Sequence, residues 1–219
     1  MTRSKKSIQA CLLAMQELFP HAATELKAAT PFQFLVAVIL SAQATDVSVN
    51  LATPGLFAAF PDAESLGQAP LQAVEAKIQR IGLYKSKAKN IIATAKIIHD
   101  TYHDQLPESM EELIQLPGVG RKTANVVRGE IFNIPSFAVD THVERVSKRL
   151  QFVTQKASVL EVEEKLRWAL PESQWVQDHH TMIFFGRYHC TARKPQCITC
   201  PLLETCNFGQ KYVAQQNGK

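Results

Sequence analysis

Leu116-Pro117-Gly118-Val119-Gly120-Arg121-Lys122-Thr123-Ala124 is a four-residue turn, Pro-Gly-Val-Gly, between two apolar-periodic segments, with a lysine just inside the second. Upstream, Ser109-Met110-Glu111-Glu112 has capping-box spacing and opens a short helix through Leu113, Ile114 and Leu116. Downstream, Ala124, Val127 and Ile131 recur at helical spacing. Glycines let the backbone take positive φ and let another molecule come close. The turn's amides, with the open N–H groups of the next helix, make a concave anion site. The stretch reads as helix, phosphate-sized nest, helix, with Gly118, Val119 and Gly120 lining the nest.

Lys122 admits two readings. An ordinary lysine, with a pKa near ~10.4, is neutral in only about one molecule in 2,500 at pH 7. Nucleophilic use needs that pKa lowered by roughly 2–3 units, or ~3–4 kcal/mol. A helix N-terminus supplies only ~0.3–1 kcal/mol of this. Arg121 adds like-charge pressure, and desolvation must provide the rest. From position alone, a solvated lysine gripping phosphate is the simpler reading.

Working outward, helix follows helix and no segment alternates at period two. The whole chain therefore reads as all-α. Ile8, Leu12, Leu13, Met15 and Leu18 mark an N-terminal helix. Thr30-Pro31-Phe32-Gln33 caps a helix that is apolar on every side through Leu40, the expected buried axis. It runs into the polar break Ser41-Ala42-Gln43-Ala44-Thr45-Asp46, where Gln43 either satisfies buried backbone or projects into a ligand cleft. Ile81-Gly82-Leu83-Tyr84 is a loop with an apolar tip, and a leucine exposed there would be informative. Lys85, Lys87 and Lys89 then crowd a helix N-terminus, where an external anion would relieve them. At Val139-Asp140-Thr141-His142-Val143-Glu144, Thr141 and Glu144 have capping-box spacing, so Asp140 is either the N-cap or a carboxylate spared for chemistry. Another helix runs from about Gln174 through Phe185 to Tyr188, and its histidines read as packing or surface residues.

At 219 residues the chain can hold one large domain or two small ones. It is 46% apolar, which excludes disorder, and its formal charge of +4 permits a nucleic-acid partner without requiring one. The longest apolar run, Phe34 to Leu40, is too short to span a bilayer. No signal core follows the basic start, so a soluble intracellular protein is expected. Of five cysteines, four fall in Cys190-x6-Cys197-x2-Cys200-x5-Cys206. Four thiolates in so short a span can close on one centre. Structural zinc and a [4Fe–4S] cluster both take four cysteines, and spacing favours neither. The loop between the first two ligands carries Arg193-Lys194-Pro195, a basic tip suited to phosphate.

Taken in order, Leu40–Asp46, Ile81–Tyr84, Leu116–Ala124, Val139–Val143 and the four spaced cysteines resemble the endonuclease III family. These are bifunctional DNA glycosylases of the helix-hairpin-helix superfamily that carry an iron–sulfur cluster. The resemblance covers nearly the whole chain. It implies two helical domains with a DNA cleft between them: a six-helix barrel over 24–134, with the hairpin at about 108–132, and a cluster domain of 1–23 and 135–219. It implies Lys122 as nucleophile, Asp140 as its catalytic partner, and Cys190, Cys197, Cys200 and Cys206 as ligands of a [4Fe–4S] cluster. It also implies DNA contacts from Gln43, Leu83, Lys87, Gly118, Val119, Gly120, His142, Arg193 and Lys194. Gln43 and Leu83 match residues that fill the gap left by an extruded nucleotide. The expected activity is excision of oxidised pyrimidines followed by β-elimination at the abasic site, by a monomer in a bacterial cytoplasm. Two rivals remain: a monofunctional adenine-type mismatch glycosylase, and a non-catalytic hairpin DNA-binding protein. The first usually lacks the lysine and carries a further C-terminal domain; the second has no need of both Lys122 and Asp140.

Overall fold

The computed structural model describes residues 2–217, and every regular element among them is helical. The chain divides into two compact units, Glu25–Ile134 and Met1–Thr24 with Pro135–Lys219.

The unit Glu25–Ile134 is built on α2 (Pro31–Leu40). Thr30 caps it by accepting from the Gln33 amide, Pro31 opens it, and Phe32 with Phe34 to Leu40 are all buried. Each Phe, Leu, Val and Ile among them contributes about 1.5–3 kcal/mol on leaving water, so this helix is the apolar axis of the unit. Around it pack α3 (Asp46–Ala59), α6 (Tyr84–Tyr102) and α8 (Arg121–Phe132). The shorter α4 (Ala63–Gly67) lies against α6 and α5 (Leu71–Ile78) against both α3 and α6. A single turn, α7 (Met110–Leu113), precedes the hairpin. Ser109 caps it by accepting from the Glu112 amide, while the Glu112 carboxylate accepts from the Ser109 hydroxyl.

The other unit joins α1 (Lys5–Leu18) to α9 (Thr141–Arg149), α10 (Val159–Ala169), α11 (Trp175–Phe184) and α12 (Asn207–Asn217). Helix α10 opens on the capping box Ser158/Glu161. The regular helix α11 ends at Phe184, earlier than the periodicity predicts, and Phe185–His189 widens into a π-turn. A Cβ at Gly186 would stand 2.9 Å from the His142 Cβ, so the turn lies against α9 only because that residue is glycine. Arg3 fastens the N-terminus to this unit by donating to the carbonyls of Leu150 and Thr205. Among the described residues, no helix is long and apolar enough to cross a membrane.

Asp178 is fully buried; Oδ1 accepts from Gln16 Nε2 at 2.7 Å while Oδ2 has no partner. Burial pushes its carboxyl up to about 6, against a bond from Gln16 that pulls it down. The folded state therefore binds this proton more tightly than the unfolded one. Stability contributed by the site is present below the ordinary carboxylate range and is lost as pH rises to about 6. Asp178→Asn should raise stability at pH 7.5 by up to about 3 kcal/mol, with the gain vanishing near pH 4, as read by thermal unfolding across pH.

Candidate nucleic-acid interface

In the unit Glu25–Ile134, three turns bear the residues singled out. The hairpin turn is pinned from behind: Thr94 Oγ1 donates to the Pro117 carbonyl at 2.8 Å, and the Val119 amide donates to Leu116 O at 3.0 Å. Val119 is buried, so the turn can offer a partner only its backbone there. The two glycines differ. Gly118 has φ of 82°, and a Cβ on it would meet Asn90 and Ile39 at 3.1 Å. Gly120 has an ordinary φ of −96° and open space where its Cβ would stand. Positive φ is thus needed at the first glycine alone, and the second keeps an approach clear. Gly118→Ala should cost about 1–3 kcal/mol in thermal unfolding. Gly120→Ala should change stability by less than ~0.5 kcal/mol while weakening binding to a duplex in a fluorescence anisotropy titration.

No side chain caps α8 at Gly120, so its first-turn amides face outward as an anion site. Lys122 stands in that first turn with its side chain exposed. Among the described residues no hydrogen bond or ion pair engages its amine.

Gln43 and Leu83 lie on the other two turns. Both residues are exposed, and both take the left-handed backbone region, with φ of 53° and 59°. Six residues other than glycine do so in the described chain, and such strain is held only where the surroundings enforce it. Leu83 is 61% exposed at the mouth of α6, where a leucine normally turns inward. Lys87 departs from the expectation of a phosphate grip. Its side chain is only 5% exposed, and Nζ donates to the Leu40 carbonyl at 2.9 Å. Burial pulls its pKa down. The reason is geometric: one turn into α6, the stem reaches the open carboxyl end of α2 more directly than solvent. Lys85 and Lys89 stay exposed.

In the other unit, Asp140 caps α9. Oδ1 accepts from the amides of His142 and Val143, each at 2.8 Å, and Oδ2 takes no part in the cap. The capping-box spacing of Thr141 and Glu144 is not used; Glu144 instead pairs with Lys148 at 2.5 Å. His142 is half-buried, and burial pulls its pKa down, helped by Arg145 and Arg187 and opposed by Asp140. A neutral ring suits the neighbouring Arg145, whose Nη2 stands 3.1 Å from Nδ1 and so can donate to it.

The four clustered cysteines line one apolar pocket with Leu150, Phe185, Leu203 and Phe208. Burial pushes the Cys197 and Cys200 thiols up, the latter to about 11, and the neighbouring cysteines push the same way. Four thiolates can share this space only around a cationic centre, so the donor set fits a thiolate-ligated group. Among the described residues, no three His, Cys, Asp or Glu side chains converge as they would on a single ion. The basic loop is held at both ends. Arg149 donates to the carbonyls of Thr191 and Ala192 at 2.8 and 2.9 Å and to Cys190 Sγ at 3.3 Å; the Gln196 amide donates to His189 O. Arg193 and Lys194 are left exposed at its tip. Arg145, which donates to the Cys190 carbonyl at 3.3 Å, and Arg149 are loop anchors that no sequence motif marks. Their i, i+4 spacing on the helix opened by Asp140 was the available signal, but it also suits a cation that merely complements a helix C-terminus.

A family description, HhH-GPD superfamily base excision DNA repair protein, matches residues 36–172. The chain is 50% identical over 206 residues to endonuclease III of Bacillus subtilis (strain 168), covering 94% of each chain. It is 46% identical over 200 residues to endonuclease III of Escherichia coli (strain K12), covering 91% of this chain and 94% of the other. Among solved structures it superposes on a trapped endonuclease III–DNA covalent intermediate with a TM-score of 0.94 at 48% identity, covering 96% of this chain and 99% of that one.

Proposed function

The chain belongs to the endonuclease III family of the HhH-GPD superfamily of base excision DNA repair proteins, and from that premise we propose how its residues carry the reaction. It is a DNA glycosylase and abasic-site lyase. The substrate class we assign is duplex DNA bearing oxidised, ring-saturated or fragmented pyrimidines, or abasic sites. Such bases stack poorly, so their extrusion costs less than the few kcal/mol needed for an intact pair.

The observation that carries the assignment is the hairpin: an uncapped helix N-terminus, a clear approach at Gly120, and an unpartnered amine at Lys122 two residues on. Phosphate sits on the hairpin amides and at the Arg193/Lys194 tip, while Gln43 and Leu83 enter the vacated stack. The neutral amine of Lys122 attacks C1′; the C1′–N bond breaks and the base leaves with its electron pair, taking up a proton. Asp140, through the carboxylate oxygen outside the cap, stabilises positive charge developing on the sugar and assists proton transfer. The C1′–O4′ bond of this amine adduct then breaks, O4′ taking up a proton, and the Schiff base so formed acidifies the 2′ proton. Its loss expels the 3′ phosphate and nicks the strand, and water then hydrolyses the imine to free Lys122.

Cys190, Cys197, Cys200 and Cys206 hold a [4Fe–4S] cluster in this proposal. The four thiols line one apolar pocket, and four cysteine thiolates are the donor set such a cluster takes. When bound, the cluster supplies a covalent staple that fixes the basic loop, with no step of the reaction passing through it. The protein acts as a monomer in a bacterial cytoplasm.

A strand-nicking assay in EDTA tests the function. Duplexes containing an oxidised pyrimidine or an abasic site should be cut, and an adenine mispair should not. Excision without nicking would instead mark a monofunctional glycosylase, and binding without either would mark a damage sensor. Visible absorption and about four iron atoms per chain should accompany the active fraction, where zinc without colour would refute the cluster.

A further inference from the structure

Lys87 is left without a role once it is removed from the phosphate contacts, yet its surroundings are unusual. It is a nearly enclosed cation whose Nζ lies 2.9 Å from the carbonyl of Leu40, the last residue of α2. No backbone amide among the described residues donates to that carbonyl, so the lysine supplies the partner an open helix end requires. The carboxyl end of a helix also carries partial negative charge, which favours a cation there.

What the bond joins is more telling than the bond itself. The chain leaving Leu40 turns at once into Gln43, and the chain entering α6 arrives through Leu83, whose carbonyl accepts from the Lys87 amide at 3.1 Å. The two turns lie close together: a Cβ built on Gly82 would stand 3.9 Å from the Gln43 carbonyl. Gln43 and Leu83 are both exposed and both strained, and neither can hold its conformation by its own propensity. We propose that Lys87 is a positioning residue that locks the Gln43 turn to the Leu83 turn, so that the two side chains enter a duplex as one rigid wedge. The inference rests on the reading that Gln43 and Leu83 fill the space left by the extruded nucleotide.

A lysine that merely fills the core would affect stability alone. One that sets the wedge affects flipping through Gln43 and Leu83, so its loss should be coupled to theirs. The test is a double-mutant cycle of Lys87→Met and Leu83→Ala in the full-length protein. The readouts are the fluorescence of 2-aminopurine placed beside an oxidised pyrimidine, which rises on unstacking, and the single-turnover excision rate from that duplex. Leu83→Ala should lower both by about tenfold and Lys87→Met by about threefold to tenfold. The double variant should be no worse than the poorer single. Losses that multiply, or a wild-type fluorescence signal in Lys87→Met, would overturn the lock. Wild-type behaviour of Leu83→Ala would remove the wedge reading beneath it and the lock together. Thermal unfolding of each variant checks folding. Should Lys87→Met fail to fold, Lys87→Gln, with an N–H donor on a shorter stem, takes its place in the cycle under the same criteria.

Discussion

Lys122→Ala should abolish the borohydride-stable adduct with abasic-site DNA and slow strand nicking by on the order of 10⁴-fold, the scale on which removal of an attacking group is felt. The loss should be chemical and not conformational. Lys122 is exposed in the first turn of α8, touches no partner, and can be truncated at a stability change within about 0.5 kcal/mol. Alanine also favours the helix slightly, so any change in fold should be toward greater stability. Binding should weaken only modestly, because the anion site at the hairpin is made by backbone amides that the substitution leaves in place. Lys122→Arg makes the stricter comparison. It keeps a cation able to grip phosphate but cannot furnish a neutral nucleophile, since guanidinium does not deprotonate in proteins. A phosphate-gripping role would survive that change; the lyase should not.

Asp140→Asn should lower base excision by roughly 10²–10³-fold while leaving the fold almost untouched. The structure separates two duties of this side chain. Oδ1 caps α9 through the amides of His142 and Val143, and asparagine caps about as well as aspartate. The charge on the other oxygen is what asparagine removes. Asp140→Ala removes both, and should cost an additional ~0.5–2 kcal/mol of stability. Ranking the two variants by activity and by melting temperature therefore distinguishes charge from cap. If Asn retained wild-type excision and Ala failed only through unfolding, Asp140 would be a helix cap and nothing more.

Much of the architecture is legible in the sequence, for identifiable reasons. An apolar helix with no polar face, such as Pro31–Leu40, has nowhere to go but the centre of a helical unit. Two glycines separated by one residue and followed by a helix specify a turn with outward amides. What escaped notice depends on reach and competition rather than on pattern. A lysine stem can extend to solvent or fold back to a carbonyl, and the preceding helix end decided the matter at Lys87. At Asp140, two overlapping capping signals competed, and the carboxylate won because it satisfies two amides at once. The π-turn at Phe185–His189 leaves no periodic trace; it lies against α9 at Gly186, a contact between residues distant in sequence. The anchoring of the basic loop by Arg149 crosses some forty positions of sequence, and no local rule could place it.

In this mechanism a single amine forms the covalent link to DNA. Borohydride reduction of the wild-type protein with an abasic-site duplex, followed by proteolysis and mass spectrometry of the adduct, locates that amine directly. The deoxyribose remnant should be found on Lys122 alone. Its recovery on another lysine or on the N-terminal amine, with Lys122 unmodified, would remove Lys122 as the nucleophile.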